Sequence, residues 1–289
     1  LYQLDEEILI RPEDSGTEES PTIIMSAPAE KVVFSGGLKV TGWQKASSRI
    51  TGLPDEARGN VWVVDAPEEA GRLLEFRQMW VNGQKADRAS TLSDGLLDRI
   101  LSVDKEKEGF WIPKPDFTVD EIGTLEFVIH QWWAIANLRV KDLEIQGDSA
   151  WVTFHQPESR IEFEHPWPAP FIDENKDQNG NSAFFFVSAM ELLNAPNEWY
   201  LDQENGKLYY WPPEDVDMET AEVFVPRLET IVRIKGKPDR MVKHIHFKGL
   251  HFNHTTWLRP SKAGHVPLQA GWYILDAYNL PVKGTPDKA

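Results

Sequence analysis

Two short stretches near opposite ends of the 289-residue chain share a pattern that few folds can use. In VVFSGGLKV, from residue 32, the apolar residues Val32, Phe34, Leu38 and Val40 fall on alternate positions around Gly36-Gly37. In IHFKGLHF, from residue 245, Ile245, Phe247, Leu250 and Phe252 do the same around Gly249. Residues two apart on a strand point to the same side. Each stretch therefore turns two apolar residues inward, bends at glycine, and turns two more inward. That is one corner of a coil whose strands stack on the strands of the next coil. Aligning the glycines sets Val32 and Phe34 beside Ile245 and Phe247. The run ETIVRIKG, from residue 229, adds a further short strand ending at a glycine. Strands at 230–234, 244–247 and 250–254 then make one coil of about 20–25 residues.

The intervening sequence reads differently. Asn82-Gly83 and Asn205-Gly206 each sit between strand-like arms, a strong hairpin signal. TLEFVIHQWW alternates around Leu125, Phe127 and Ile129, and LRVKDLEIQGDSAWVTF turns at Gly147. Antiparallel hairpins at this density predict a sandwich. The expected fold is therefore all-β: the first coils of a right-handed parallel β-helix, interrupted by an inserted antiparallel β-sandwich-like domain. The boundaries are 1–44 for the first coil, 45–225 for the insertion and 226–289 for the continuation. Helix is expected only at 93–101, SDGLLDRIL, and 188–194, SAMELLN, where Ser188 and Glu191 have capping-box spacing.

So few coils cannot bury their open end. The expected partner is the rest of the β-helix, in a longer chain or a second chain. The first residues, LYQLDEEILI, lack an initiating Met, as expected if an N-terminal piece is removed.

Composition excludes some functions. A net charge of -16 repels nucleic acid and anionic membranes. The absence of cysteine excludes disulfides and thiolate metal sites. No apolar run approaches the roughly 20 residues of a membrane span. There is no P-loop, dinucleotide fingerprint, HExxH or GxSxG motif. The 12 tryptophans are chiefly core fillers, with a minority available to stack on sugar rings.

Four stretches carry a family resemblance: PEDSGTEESPTIIMSAPAEKVVFSGG from 12, MWVNGQKADRA from 79, NEWYLDQENGKLYYWPPE from 197 and HIHFKGLHFNHTTW from 244. Through them the chain resembles the N-terminal half of glycoside hydrolase family 141, bacterial parallel β-helix proteins of polysaccharide breakdown whose coil is interrupted by a β-sandwich. Ala29 and Asn197 depart from the pattern, standing where turn glycines are expected. The resemblance implies hydrolysis of a plant or algal polysaccharide, in the periplasm or outside a bacterial cell. It also implies that the catalytic carboxylates lie on later coils, beyond residue 289. A polysaccharide lyase on the same scaffold, and a non-catalytic glycan-binding solenoid, are the alternatives.

Glycoside hydrolysis usually needs two carboxylates flanking one sugar. Most acidic residues here lie in runs such as DEE and DKEKE, which read as solvated loops. Glu229 and Asp276 are the exceptions, near strand-like sequence, and Asp276 is the candidate for substrate contact. His244, His246, His251 and His254 resemble a metal cluster, but a glycine corner splits them between different walls, and zinc needs converging ligands. No metal site is predicted from them. His251 and His254 instead suit sugar hydroxyls, since neutral imidazole both donates and accepts. Trp257 and Arg259 follow and complete the candidate substrate-binding set. Trp132 and Trp133, read as strand neighbours, should face opposite sides. Asp173, Asn175 and Asp177 have the opening spacing of a calcium loop, but Gln178 and Phe184 stand where it needs Gly and Glu. A polar turn is the better reading, so no cofactor is expected and calcium has only weak support.

Overall fold

A computed structural model describes residues 1–47, 49–92, 95–119, 122–164, 169–173 and 180–267. The chain is all-β. It divides into two compact units: Leu1–Trp43, Ala66–Asp87 and Val216–Leu258 form the first, and Gln44–Asp65, Arg88–Asp215 and the chain from Arg259 onward form the second. Among the described residues no helix is long and apolar enough to cross a membrane.

In the first unit, three N-terminal strands pair one to one with three later strands. All three pairings are parallel and run in the same chain order. Ile8–Ile10 pairs with Val232–Ile234, Thr22–Met25 with Ile245–Lys248, and Val32–Ser35 with Leu250–Asn253. Tyr2–Gln3 adds to the free side of Val32–Ser35. The register sets Tyr2, Phe34 and Phe252 in a row, with ring centroids 5.7 and 5.8 Å apart, and Phe247 lies 5.9 Å from Phe252. Such ring contacts contribute roughly 0.5–1.5 kcal/mol each beyond the area they bury.

The two glycine-cornered stretches are thus hydrogen-bonded in parallel, but one wall away from the alignment that matches their glycines. Phe34 lies opposite Phe252, and Phe247 opposite Ile24. Gly249 turns with φ +65, and a Cβ there would meet Ser26 Oγ at 2.5 Å. Its counterpart is therefore the 26–31 turn, where Ala29 has φ +68, and not Gly36-Gly37. The counterpart of Gly36-Gly37 is His254, also at positive φ. Leu38 and Val40 do not enter the next parallel wall. Gly37–Val40 joins an antiparallel sheet with Val223–Pro226, followed by Met79–Val81 and Gln84–Arg88. The Asn82-Gly83 turn between the last two has positive φ at both residues, as a two-residue hairpin requires.

The second unit holds a seven-stranded antiparallel sheet, in the order Asp98–Arg99, Ala183–Val187, Glu126–His130, Ile135–Gln146, Ser149–Phe154, Gly109–Pro113 and Ser102–Asp104. The long strand Ile135–Gln146 shifts register between Val140 and Asp142. Its first half pairs with Glu126–His130 and its second with Ser149–Phe154. Bulges bend strands, and phenylalanines from the two halves meet in one core. Phe127 packs on Phe184, Phe154 and Phe110 with centroids 4.6, 5.3 and 5.7 Å apart. A second sheet segment of this unit orders Glu198–Asp202, Lys207–Tyr210, Trp62–Asp65 and Gln44–Lys45.

Helix is scarce, but not where the sequence places it. Within 93–101 the described residues include the strand Asp98–Arg99, and residues 93 and 94 lie outside the described set. The 188–194 stretch holds only a 3-10 turn, Met190–Leu192, whose N-cap is Ala189 and lacks a side-chain cap. Ser188 has φ +72, which removes it from the cap geometry. The helix Glu158–Glu164 has no counterpart in the sequence reading.

Candidate functional site

Of the predicted contact residues, His251 and His254 differ sharply in exposure. His251 is exposed on Leu250–Asn253. His254 is not: it ends the strand at φ +61, and its ring is 5% exposed. The ring stacks on Phe224 at 4.7 Å and 4°, and its centroid lies 5.0 Å from that of Trp80, edge on. Its Nδ1 is hydrogen-bonded to Ser35 Oγ at 2.7 Å, and Ser35 Oγ accepts the Gly37 N–H at 3.2 Å. Burial lowers its pKa, keeping the imidazole neutral. A Cβ on Gly37 would sit 2.7 Å from the His254 Cβ, so glycine is needed where the corner closes on the ring. The reading of His254 as a sugar contact is thus corrected: it fastens the corner. Trp257 is 42% exposed in the first unit. Arg259 opens the short helix Arg259–Ala263 of the second unit. Asp276 lies outside the described residues.

Other residues singled out from sequence have structural partners. Glu229 accepts the Leu258 N–H at 2.8 Å. Trp132 and Trp133 sit in a tight turn, closed by Gln131 N–H to Ala134 O at 2.8 Å, and both are exposed, at 63% and 54%. They are not strand neighbours, so the expectation of opposite faces fails. Asn175, Asp177 and Gln178 of the calcium-like run lie outside the described residues.

A concave site in the second unit escaped the sequence reading. It is a cleft of about 540 Å³. The hairpin of Glu198–Asp202 and Lys207–Tyr210 supplies its aromatic wall, because register sets Tyr200 directly opposite Tyr209. Alternation buries Trp199 and Leu201 on the other side. Facing them stand Thr124 and Ser188; Thr124 Oγ1 donates to the Ser188 carbonyl at 3.1 Å. Glu191, Asp202 and Glu204 supply carboxylates, and among the described residues no lysine or arginine lines the cleft. Gly52, at φ +77, makes room for Glu191: a Cβ there would lie 2.7 Å from Glu191 Oε1. Asp202 holds the turn by accepting the backbone N–H and side-chain amide of Asn205, each at 2.9 Å.

Burial pushes the Tyr200 phenol up to about 12, opposed by its hydrogen bond with Thr124 and reinforced by Asp202 and Glu191. Burial also raises Tyr209, with Asp202 adding to the effect and Lys207 opposing it. Both phenols therefore stay neutral, able to donate and accept. The signal for this wall lay in NEWYLDQENGKLYYW, where a hairpin of known loop length places Tyr200 and Tyr209 side by side. Thr124 and Ser188, 64 residues apart, gave no local signal.

A second perturbed acid lies away from the cleft. Glu162, on Glu158–Glu164, is 2% exposed, and burial pushes its carboxyl up to about 8. Gln131 Nε2 donates to its two oxygens at 2.7 and 2.8 Å, opposing that rise.

Comparison with known proteins adds two findings. Residues 59–213 match the family model described as the GH141 insertion domain. A solved structure titled "Glycoside hydrolase" is 47% identical, with a TM-score of 0.85 over 95% of this chain. The match covers 45% of that protein, so the chain spans less than half its length. No curated protein matches.

Proposed function

The chain belongs to the family of the GH141 insertion domain, and from that premise we propose that it is the N-terminal part of a glycoside hydrolase acting on a plant or algal polysaccharide. The observation that carries this reading is the same-order parallel pairing of Ile8–Ile10, Thr22–Met25 and Val32–Ser35 with Val232–Ile234, Ile245–Lys248 and Leu250–Asn253. Each matched set is one turn of a right-handed parallel β-helix, and residues from about 45 to 225 are inserted between successive turns, with Ala66–Asp87 and the chain from Val216 belonging to the first unit. The next turns come from the rest of the longer chain. They stack on the edge of Leu250–Asn253 that faces away from Val32–Ser35, where Phe252 is 42% exposed. Glycosidic cleavage requires an acid and a base or nucleophile on either side of the bond, and in this reading both stand on those later turns. His251, Trp257, Arg259 and Asp276 are the polysaccharide contacts that this part contributes. The protein works in the periplasm or outside a bacterial cell, where polymeric substrate is met before it is shortened.

The test assays the longer polypeptide and the 289-residue chain side by side. Aryl glycosides and plant and algal polysaccharides serve as substrates, with and without chelator. The longer protein should release reducing sugar insensitive to chelator, and the shorter chain none. Unsaturated, chelator-sensitive products would replace hydrolysis by lysis. Retention on polysaccharide without any product would replace it by binding alone.

A further inference from the structure

We propose that the cleft between the Tyr200–Tyr209 pair and Thr124 is a binding subsite for a neutral sugar unit, carried by the second unit itself. The inference deepens the polysaccharide reading and rests on it for the class of ligand. Its volume of about 540 Å³ lies within the range of small-ligand sites, roughly 300–1,000 Å³. The lining combines what a pyranose ring offers partners for. Tyr200, partly buried, supplies aromatic surface against the apolar face of a ring, backed by Tyr209 opposite it, which is 8% exposed. The neutral phenols can donate to or accept from its hydroxyls, and the Thr124 oxygen, whose proton goes to the Ser188 carbonyl, can accept from them. Glu191, Asp202 and Glu204 accept hydrogen bonds from those hydroxyls, and charge-assisted bonds of this kind are the stronger ones.

The charge of the cleft selects among sugars. Among the described residues three carboxylates and no basic side chain line it, so a uronate or sulfated unit would bring its own negative charge against three others. Charges of one sign in a partly enclosed site repel by well above the exposed-surface value. A neutral unit meets no such cost. The geometry is also prebuilt: Ser188 at φ +72 and Gly52 at φ +77 hold their segments in left-handed conformations, and the Thr124 hydroxyl bridges to the Ser188 carbonyl. A site whose polar groups are already oriented loses less entropy on binding.

The test uses the 289-residue chain on a printed array of neutral oligosaccharides (galactan, arabinan, xyloglucan and β-glucan fragments) and of oligogalacturonates and alginate fragments. Neutral members should be retained and the uronates not. Thr51→Trp places a bulky ring at the exposed lip without touching a buried group, and should abolish retention. Tyr200→Phe removes one hydroxyl and should weaken it about ten-fold, the effect of losing one good hydrogen bond. Circular dichroism and melting temperature of both variants verify that the fold persists. Three outcomes would overturn the proposal: no neutral oligosaccharide retained, uronates preferred, or retention unchanged in Thr51→Trp but lost in Trp132→Ala. The polysaccharide reading fails separately. A longer protein inactive on every glycan, with retention by this cleft intact, would sink that reading alone. Hydrolysis by the longer protein, with no retention through the cleft, would sink this one alone.

Discussion

The two units solve the same problem, burying aromatic side chains on β-structure, in opposite ways. In the second, Phe110 and Phe127 are fully buried, closed in by strands of one bent antiparallel sheet. In the first, the aromatic row Tyr2, Phe34 and Phe252 runs along three parallel strands, and its ends stay 60% and 42% exposed. A bent antiparallel sheet completes its own core. A parallel stack completes a core only when the next turn is present. The difference assigns the two units different sources of stability, local in one and supplied by neighbouring turns in the other.

The sharpest way to break that contrast is a matched pair of truncations. Phe127→Ala should cost about 3–5 kcal/mol, because a fully buried ring leaves a cavity. Phe252→Ala should cost only about 1 kcal/mol in this chain, since nearly half the ring already meets water. Because the units need not unfold together, region-resolved hydrogen exchange is the measurement, read on the amides of each unit. Equal losses would remove the distinction. A larger Phe252→Ala cost in the longer protein than in this chain would sharpen it.

The next effect belongs to the second unit alone. Glu162 has its folded pKa raised from 4.5 to about 8. The folded state therefore binds more protons than the unfolded state between those values. The contribution of Glu162 to stability is full below about pH 4.5, declines as the pH rises toward 8, and is lost above it. The total loss should be on the order of a few kcal/mol. Glu162→Gln keeps an amide beside Gln131 and should flatten that slope, leaving the variant more stable than the parent at pH 9. Urea titrations across pH 5 to 9, followed in the second unit, decide it; a parent slope that persists in the variant would assign the dependence to another group.

How far the sequence reveals this molecule follows the same division. Period-two alternation and glycine corners made the parallel walls of the first unit legible, and the Asn82-Gly83 turn was legible because only I′-type hairpins ask for that pair. The wall-to-wall register was not legible. Every wall has the same period, and the corner opposite Gly249 is built on Ala29 rather than on a glycine. His254 was misread because the partners that bury it, Ser35, Trp80 and Phe224, lie far from it in sequence. In the second unit, the helix Glu158–Glu164 hid its helical face because two of its buried residues are acidic. Their partners, Arg139 at 2.6 Å from Glu158 and Gln131 at 2.7 Å from Glu162, lie 19 and 31 residues away. The Tyr200–Tyr209 cleft is legible only to a reader who already has the hairpin register.

The smallest effect probes the two turns that depart from the family pattern, one in each unit. Ala27-Pro28-Ala29-Glu30 closes with Glu30 N–H to Ala27 O at 3.1 Å, and Ala29 has φ +68. A turn with proline second and positive φ third asks for glycine in the third place. An alanine there strains its Cβ by roughly 1 kcal/mol. Asn197 has φ +73, but asparagine tolerates that region, and its side-chain oxygen accepts the Tyr210 hydroxyl at 3.2 Å. Ala29→Gly should therefore stabilise the first unit by about 0.5–1 kcal/mol, less whatever glycine adds to the entropy of the unfolded chain. Asn197→Gly should leave the second unit unchanged or slightly weaker, because relief of little strain is set against a lost hydrogen bond. Exchange rates at Ser26 and Gly36 report the first substitution, and those at Trp199 and Trp211 the second. Stabilisation by both glycines alike would mean that left-handed strain, and not the partner of each side chain, decides the outcome at the two turns.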